Sequence, residues 1–402
     1  MYEAEHTPDL RGVLDKSGRG FPQGLLEQPE SERLAYFKSF TVAHPILKEA
    51  DSALKQALRE PAGGSLVFVY GPTGVGKTTL RLRVEKHLKE VMLPALREDP
   101  SLVPVVSIVA VAPDSSQFSW RDYYKRALIA LEEPLIDRKI IYRVHGVSRN
   151  SSGELMVDPR VLGLELRHAL ETALYYRRPT AFFIDEAQHL ARLSSGRKLQ
   201  DQLDSIKSLA GITSTLHVLI GTYELLNFLN LSAQLSRRSI DIHFPRYRAD
   251  RESDLRAFQN VIFTFQRHLP LAEEPDLLKH WEYCYERSIG CVGVLKDWFT
   301  RALAAALEEA ATALTLKHLQ QRAMSLDQCS RMAREAIEGE KDLTERKESR
   351  EQLRQLLGLV PATPADNSTS ERSVNRPGQP RKAYPVGQRT PHRDKVGTAN
   401  PW

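Results

Sequence analysis

The clearest chemistry in the sequence lies in one glycine-rich loop. Gly71-Pro72-Thr73-Gly74-Val75-Gly76-Lys77-Thr78 has the form G-x-x-x-x-G-K-[ST], and Thr79 follows it. Such a loop wraps main-chain N–H groups around phosphate oxygens, and its glycines supply conformations that a Cβ would block. In that arrangement Lys77 meets the β- and γ-phosphates and Thr78 meets Mg2+. Further along, Thr180-Ala181-Phe182-Phe183-Ile184-Asp185-Glu186 is an apolar strand pattern ending in two carboxylates. That form delivers Asp185 to Mg2+ and Glu186 to an attacking water. The two stretches together imply binding of a nucleoside triphosphate with Mg2+; separately, they would read as a loop and a core strand.

Both stretches need elements to hold them. The loop follows the apolar run Leu66-Val67-Phe68-Val69-Tyr70 and opens a helix-like stretch, the strand–loop–helix setting that the motif requires. Five short apolar runs occur in order, at 65–70, 104–111, 180–185, 216–221 and 240–244. Three of them are nearly continuous in Val, Ile and Leu, which marks strands covered on both faces. Separated by helical stretches, they predict an α/β fold with a five-stranded parallel sheet flanked by helices. Apolar residues at helical spacing between Glu30 and Glu60, interrupted at Pro45, predict two helices leading into this domain. Beyond Arg251 the pattern is wholly helical, with stretches at 251–267, 273–287, 292–311 and 315–337 that form a lid.

The segment 112–179 is long for one crossover and must hold structure of its own. It offers a helix at about 119–132 and a hairpin with arms at 139–144 and 154–157. The expected organisation is a flexible arm over 1–30, a nucleotide-binding α/β domain over 31–250, a helical lid over 251–337, a charged helix over 338–360 and a disordered basic tail over 361–402. The tail holds seven prolines, no Ile, Leu or Phe, and seven Lys/Arg against three acids. It lacks the apolar surface to fold alone.

Net charge over all 402 residues is only +5, so the rest of the chain is close to neutral. No run approaches the ~18 uninterrupted apolar residues of a membrane span, and the polar start lacks a signal-peptide pattern, so the chain reads as cytoplasmic and off the membrane. Cys284, Cys291 and Cys329 are odd in number and lack metal-type spacing, which leaves them as buried or idle thiols.

A P-loop strand, an Asp-Glu strand, a strand ending in Gly221-Thr222, an Arg pair before the fifth strand and a helical lid together resemble an AAA+ ATPase over residues 30–335. The resemblance implies a sheet in the order 5-1-4-3-2, with nucleotide between the sheet domain and the lid. Within that class VYGPTGVGKTTL, AFFIDEAQHL, LHVLIGTYEL and LSRRSIDIHFP are similar to the transposon-encoded regulators of the TnsC/TniB type. Those proteins assemble on DNA with ATP and connect a transposase to a chosen target site. Residue by residue, the resemblance places Thr222 at the first sensor position, where a hydroxyl orients water beside the γ-phosphate. A strand-end cap is the plainer role for Thr222. Arg237 or Arg238 matches the finger that reaches a neighbouring subunit's nucleotide; a solvated Arg pair is the alternative. The second-sensor region Ser288–Lys296 has no Arg where relatives often do, and Lys296 would stand in as a point charge without the guanidinium fork. Turnover in such regulators is slow and times disassembly.

The resemblance also places the helix after the second strand in a DNA-facing channel. There the sequence carries Trp120, Arg121, Tyr123, Tyr124, Lys125 and Arg126, cations and aromatics suited to phosphate contact without base reading. Arg121 and Lys125 lie four apart on one face, with Arg126 beside them. An amphipathic surface helix would have the same composition. The implied partners are double-stranded DNA, a transposase, a target-selection protein and further copies of the chain in a ring or filament. The rivals are a signalling or secretion-associated ATPase acting on a protein without DNA, and a nucleotide-gated scaffold that barely hydrolyses.

Overall fold

The computed structural model describes residues 19–112, 118–131, 147–149, 151–152, 155–157, 163–191, 197–229, 239–343 and 353–359. The chain divides into two units, Met1–Thr344 and Glu345–Trp402. In the first, strands β1 (Leu66–Tyr70), β2 (Val105–Val109), β5 (Ala181–Asp185), β6 (Leu216–Gly221) and β7 (Ser239–His243) form one sheet in the order β2-β5-β6-β1-β7. Its strand pairs are all parallel. Counted along the chain, that is the order 5-1-4-3-2 that the resemblance implies.

Period-two alternation places the core. Leu66, Phe68 and Tyr70 point to one face of the sheet, with Phe182, Ile184 and Leu219, whereas Val67, Val69, Phe183, Val218 and Ile220 point to the other. Every residue of β1, β5 and β6 is buried, so apolar side chains on both sides of each strand have helices to meet. One face packs α4 (Trp120–Ala130), α5 (Gly163–Arg177) and α7 (Arg197–Thr213). The other packs α2 (Pro45–Arg59) and α3 (Lys77–Glu98). The loop motif leaves the C-terminal end of β1, second from the sheet edge, where chain connections diverge to opposite sides and open a crevice.

The crossover segment contains a hairpin with arms β3 (Val147–Arg149) and β4 (Leu155–Val157) in antiparallel pairing, Val147 opposite Val157. The second arm matches the expected 154–157; the expected first arm, 139–144, lies outside the described residues.

The lid comprises α9 (Glu252–His268), α10 (Trp281–Ser288), α11 (Val292–Glu308), α12 (Leu316–Arg322) and α13 (Leu326–Asp342). The helix expected over 273–287 is shorter. The stretch before it is fastened instead by the buried Gln266, whose Oε1 accepts from the Leu277 and Leu278 amides at 2.8 and 3.3 Å. The helix expected over 315–337 is two helices. Ser325 starts the second with a capping box, its hydroxyl accepting from the Gln328 amide while the Gln328 side chain returns to the Ser325 N–H. α13 also takes in 338–342, the start of the expected charged helix.

The amino-terminal stretch belongs with the lid. Phe37 of α1 (Glu30–Ser39) packs with Phe265, Leu295 and Phe299. Residues 19–29, expected within a flexible arm, lie against α9. Phe21 is 4% exposed, and the Gly20 amide donates to the Arg267 carbonyl at 2.9 Å.

Candidate nucleotide site

The loop between β1 and α3 has the backbone that its sequence requires. Gly74 and Gly76 lie at φ +77° and +113°, in the left-handed region that suits glycine. α3 begins at Lys77, so the unpaired N–H groups of its first turn face the loop and favour an anion there. The Lys77 ammonium crosses the loop, donating to the Gly71 and Pro72 carbonyls at 3.0 and 2.9 Å. Burial pushes it down to about 8, against the pull of Glu186 and Asp185.

β1 and β5 are separated in the sheet only by β6, and their C-terminal ends bring the two motifs together. Asp185 is 4% exposed, and its Oδ2 accepts from the Thr78 hydroxyl at 3.2 Å. Its Oδ1 accepts from the Glu186 amide at 3.0 Å. Thr78 and Asp185 thus present a pair of hard oxygen ligands side by side, the donor set that suits Mg2+. Glu186 turns out of the strand with φ +54° and is exposed toward solvent. Thr222, immediately after β6, lines a chamber of about 380 Å3 together with Pro72, Thr73 and residues of α13. Its Oγ1 is buried and, among the described residues, has no hydrogen-bond partner. The hydroxyl does not cap the short helix that follows, although Thr222 sits at its N-cap.

A second chamber of about 340 Å3 lies between the loop, the segment 40–47 and the lid, with Val75, Gly76, Thr79 and Lys296 in its wall. Lys296, which the resemblance suggests as a second sensor, is packed against the amino-terminal segment. Its ammonium donates to the Phe40 carbonyl and lies 4.8 Å from the Phe37 ring centroid and 5.7 Å from those of Phe40 and Phe265. This aromatic surround offsets part of its desolvation, and burial lowers its pKa to about 8.

The pattern of motifs left out two side chains. Arg81 lies one helical turn beyond Lys77; its Nε donates to Asp185 Oδ2 at 3.1 Å, and it also reaches Glu85 and Ser107. The i,i+4 spacing from Lys77 and the lone Ser107 inside an apolar strand are the signals that point to it. Gln188, noticeable in the sequence only as a polar neighbour of Glu186, is 3% exposed and donates to the Glu186 carboxylate.

On α4 the cations and aromatics separate. Tyr123 and Tyr124 turn inward and are buried, whereas Arg121 and Arg126 are exposed and Lys125 is half-buried. The interleaved surface expected from the sequence is therefore a basic outer face over an aromatic inner one. Arg126 pairs with Asp122 at 2.6 Å. Arg237 and Arg238 lie outside the described residues, as does the basic tail.

Cys284, Cys291 and Cys329 are free and buried, and burial pushes the first two up to about 12, away from the thiolate form. Among the described residues, no cluster of His, Cys, Asp and Glu has metal-binding spacing, and no helix is long and apolar enough to cross a membrane.

Residues 59–229 match the family model of the AAA domain. No curated protein sequence matches the chain. Among solved structures it is similar to the ADP form of ORC2 from Aeropyrum pernix, at 14% identity over 72% of this chain and 71% of that one, with a TM-score of 0.46. It is also similar to ORC from Drosophila bound to DNA, at 16% identity over 79% and 70% with a TM-score of 0.43. A Walker-type ATPase of Pyrococcus abyssi shares 16% identity over 78% and 76%, with a TM-score of 0.42. The sheet order and the loop geometry, with the family match over residues 59–229, give this part of the chain a P-loop fold of the AAA+ type.

Proposed function

We propose that the protein is an ATP-dependent, DNA-binding AAA+ regulator of DNA transposition, which oligomerises on duplex DNA and links a target-selection protein to a transposase. The observation that carries the nucleotide part is the convergence of Thr78, Asp185, Glu186 and the unpartnered Thr222 hydroxyl at the mouth of one glycine-rich loop. The loop amides and Lys77 would hold the phosphates, and Thr78 and Asp185 would hold Mg2+, which neutralises charge on the phosphates. Glu186 would take a proton from the attacking water as the new P–O bond forms and ADP departs. Thr222 would orient that water. Arg237 or Arg238 of a neighbouring copy would meet the charge from outside, making hydrolysis depend on assembly.

The DNA part rests on the outward face of α4, where Arg121 and Lys125 stand four residues apart, and the transposition part rests on the resemblance of the four sequence stretches. Hydrolysis would time disassembly. The pairing of Arg126 with Asp122 favours a second reading, an ATPase acting on a protein partner without DNA, because it thins the basic face.

Electrophoretic shift and negative-stain imaging with ATP, ADP and no nucleotide, at two salt concentrations, separate the readings. ATP-dependent rings or filaments on duplex DNA, weakened by salt and by Arg121→Ala, support the DNA regulator. A protein that ignores DNA with every nucleotide contradicts it.

A further inference from the structure

Beside the carboxylates of the site is a side chain that joins Glu186 to Thr222. Gln188 opens the short helix after β5 and is almost completely enclosed, at 3% exposure. Its amide faces two ways. The Nε2 group donates to Oε2 of Glu186, and Oε1 accepts from the Thr222 amide at 3.3 Å. Both ends of the side chain are therefore used, one on the carboxylate at the end of β5 and one on the sensor residue at the end of β6.

The surrounding backbone is shaped to admit this amide. A Cβ on Gly221 would run into Gln188 Oε1, so the residue before Thr222 must lack a side chain for the bridge to form. The Ala187 amide donates to the Ile220 carbonyl at 2.8 Å, and the His189 amide to the Glu186 carbonyl at 3.0 Å. These main-chain bonds fix the turn on which Gln188 stands, leaving its side chain as the adjustable link. Glu186 itself sits in a left-handed conformation, which moves its carboxylate off the strand axis and toward the amide.

We infer that Gln188 is a positioning residue: its amide sets the Glu186 carboxylate relative to the Thr222 sensor, so that base and sensor act as one unit during hydrolysis. The inference rests on the proposed role of Glu186 in hydrolysis. Only an amide of this length satisfies both partners. A carboxylate in its place would keep an acceptor for the Thr222 amide but lose the donor and set two anions together. An apolar side chain would strand both partners.

The test compares Gln188→Glu, which preserves shape, with Gln188→Leu and Gly221→Ala, each measured for kcat, KM, fluorescent-ADP affinity and Tm, beside Glu186→Gln. The expected result is a kcat lowered by about tenfold or more in all three, with KM and ADP affinity within about twofold of the parent. Added to Glu186→Gln, the Gln188→Glu change should lower kcat no further, since both act through the same carboxylate. Should Gln188→Leu prove unstable, Gln188→Glu and Gly221→Ala still decide the matter. A kcat within twofold of the parent in stable Gln188→Glu, or a raised KM with unchanged kcat, overturns the inference. Full activity in Glu186→Gln instead overturns the hydrolytic reading beneath it, so the two failures are distinguishable.

Discussion

The Val294 amide donates to the Gly74 carbonyl at 3.1 Å, so the first turn of the lid helix α11 rests directly on the phosphate loop. Gly293 makes the approach possible, because a Cβ there would meet the Gly74 carbonyl oxygen. Lid and loop are thereby mechanically linked, and a shift in one must be felt in the other. Gly293→Ala is expected to prise them apart and to weaken nucleotide affinity by about tenfold, with a lowered Tm. A fluorescent-nucleotide titration checks this, and unchanged affinity would remove the lid contact from the account.

Lys77 should make nucleotide affinity depend on pH. Burial holds the ammonium at about 8 without nucleotide, below its ordinary 10.5. Phosphate favours the charged form, so binding takes up a proton once the pH exceeds about 8. Affinity should therefore be flat near neutrality and fall as pH rises from 8 toward 10. Lys77→Met should be weak throughout and lose that slope, as titrations at several pH values would reveal.

Arg246 and Glu340 fasten α13 to the body. Their two contacts measure 2.8 and 3.2 Å, and both side chains are more than four-fifths buried. Arg246 also reaches the Ile289 carbonyl at 3.3 Å. Glu340→Ala would leave a largely buried guanidinium without its carboxylate and should destabilise by about 3 kcal/mol. Chemical denaturation gives the size of the effect, and faster proteolysis within 326–342 would show that α13 is the part released. Equal stability of variant and parent would mean that the pair is not what holds α13.

Three buried histidines predict acid sensitivity. Burial lowers His44, His217 and His268 to about 4, from an ordinary 6.5. The unfolded chain binds more protons than the folded one between these limits, so stability is lost as pH falls from 6.5 toward 4. Thermal melts over that range should show a falling Tm. Replacing His217, which stacks on Phe182 at 4.9 Å, by Phe should flatten the fall, though the new ring must fit the same site.

Much of the geometry of the candidate nucleotide site was legible because its residues are local in sequence. Gly71–Thr78 and Asp185-Glu186 each follow a recognisable strand, and parallel strands end on the same side of a sheet. The lid was legible as helices but not in its breaks, since Gln266 fastens the loop to Leu277 through a contact 11 residues away. Arg81 and Gln188 were hidden for a similar reason. Arg81 has only its spacing from Lys77 and Ser107 to mark it, and Gln188 only its place beside Glu186, while the contacts to Asp185 and Thr222 that give them their positions come from strands distant in sequence. The surroundings of Lys296 were also hidden: the resemblance suggested it as a second sensor, but nothing in the sequence pointed to Phe37, Phe40 and Phe265, from distant segments, around its ammonium. The aromatics of α4 point inward because β2 and β5 offer them a core, which helix composition alone does not reveal.

The most direct measurement is of ATP binding and single-turnover hydrolysis with Mg2+ in the parent protein, Lys77→Ala and Glu186→Gln, with duplex DNA present. The account predicts hydrolysis by the parent, loss of binding in Lys77→Ala, and retained binding with hydrolysis slowed by about a hundredfold or more in Glu186→Gln. Hydrolysis at the parent rate in Glu186→Gln, or undiminished ATP binding in Lys77→Ala, would contradict it.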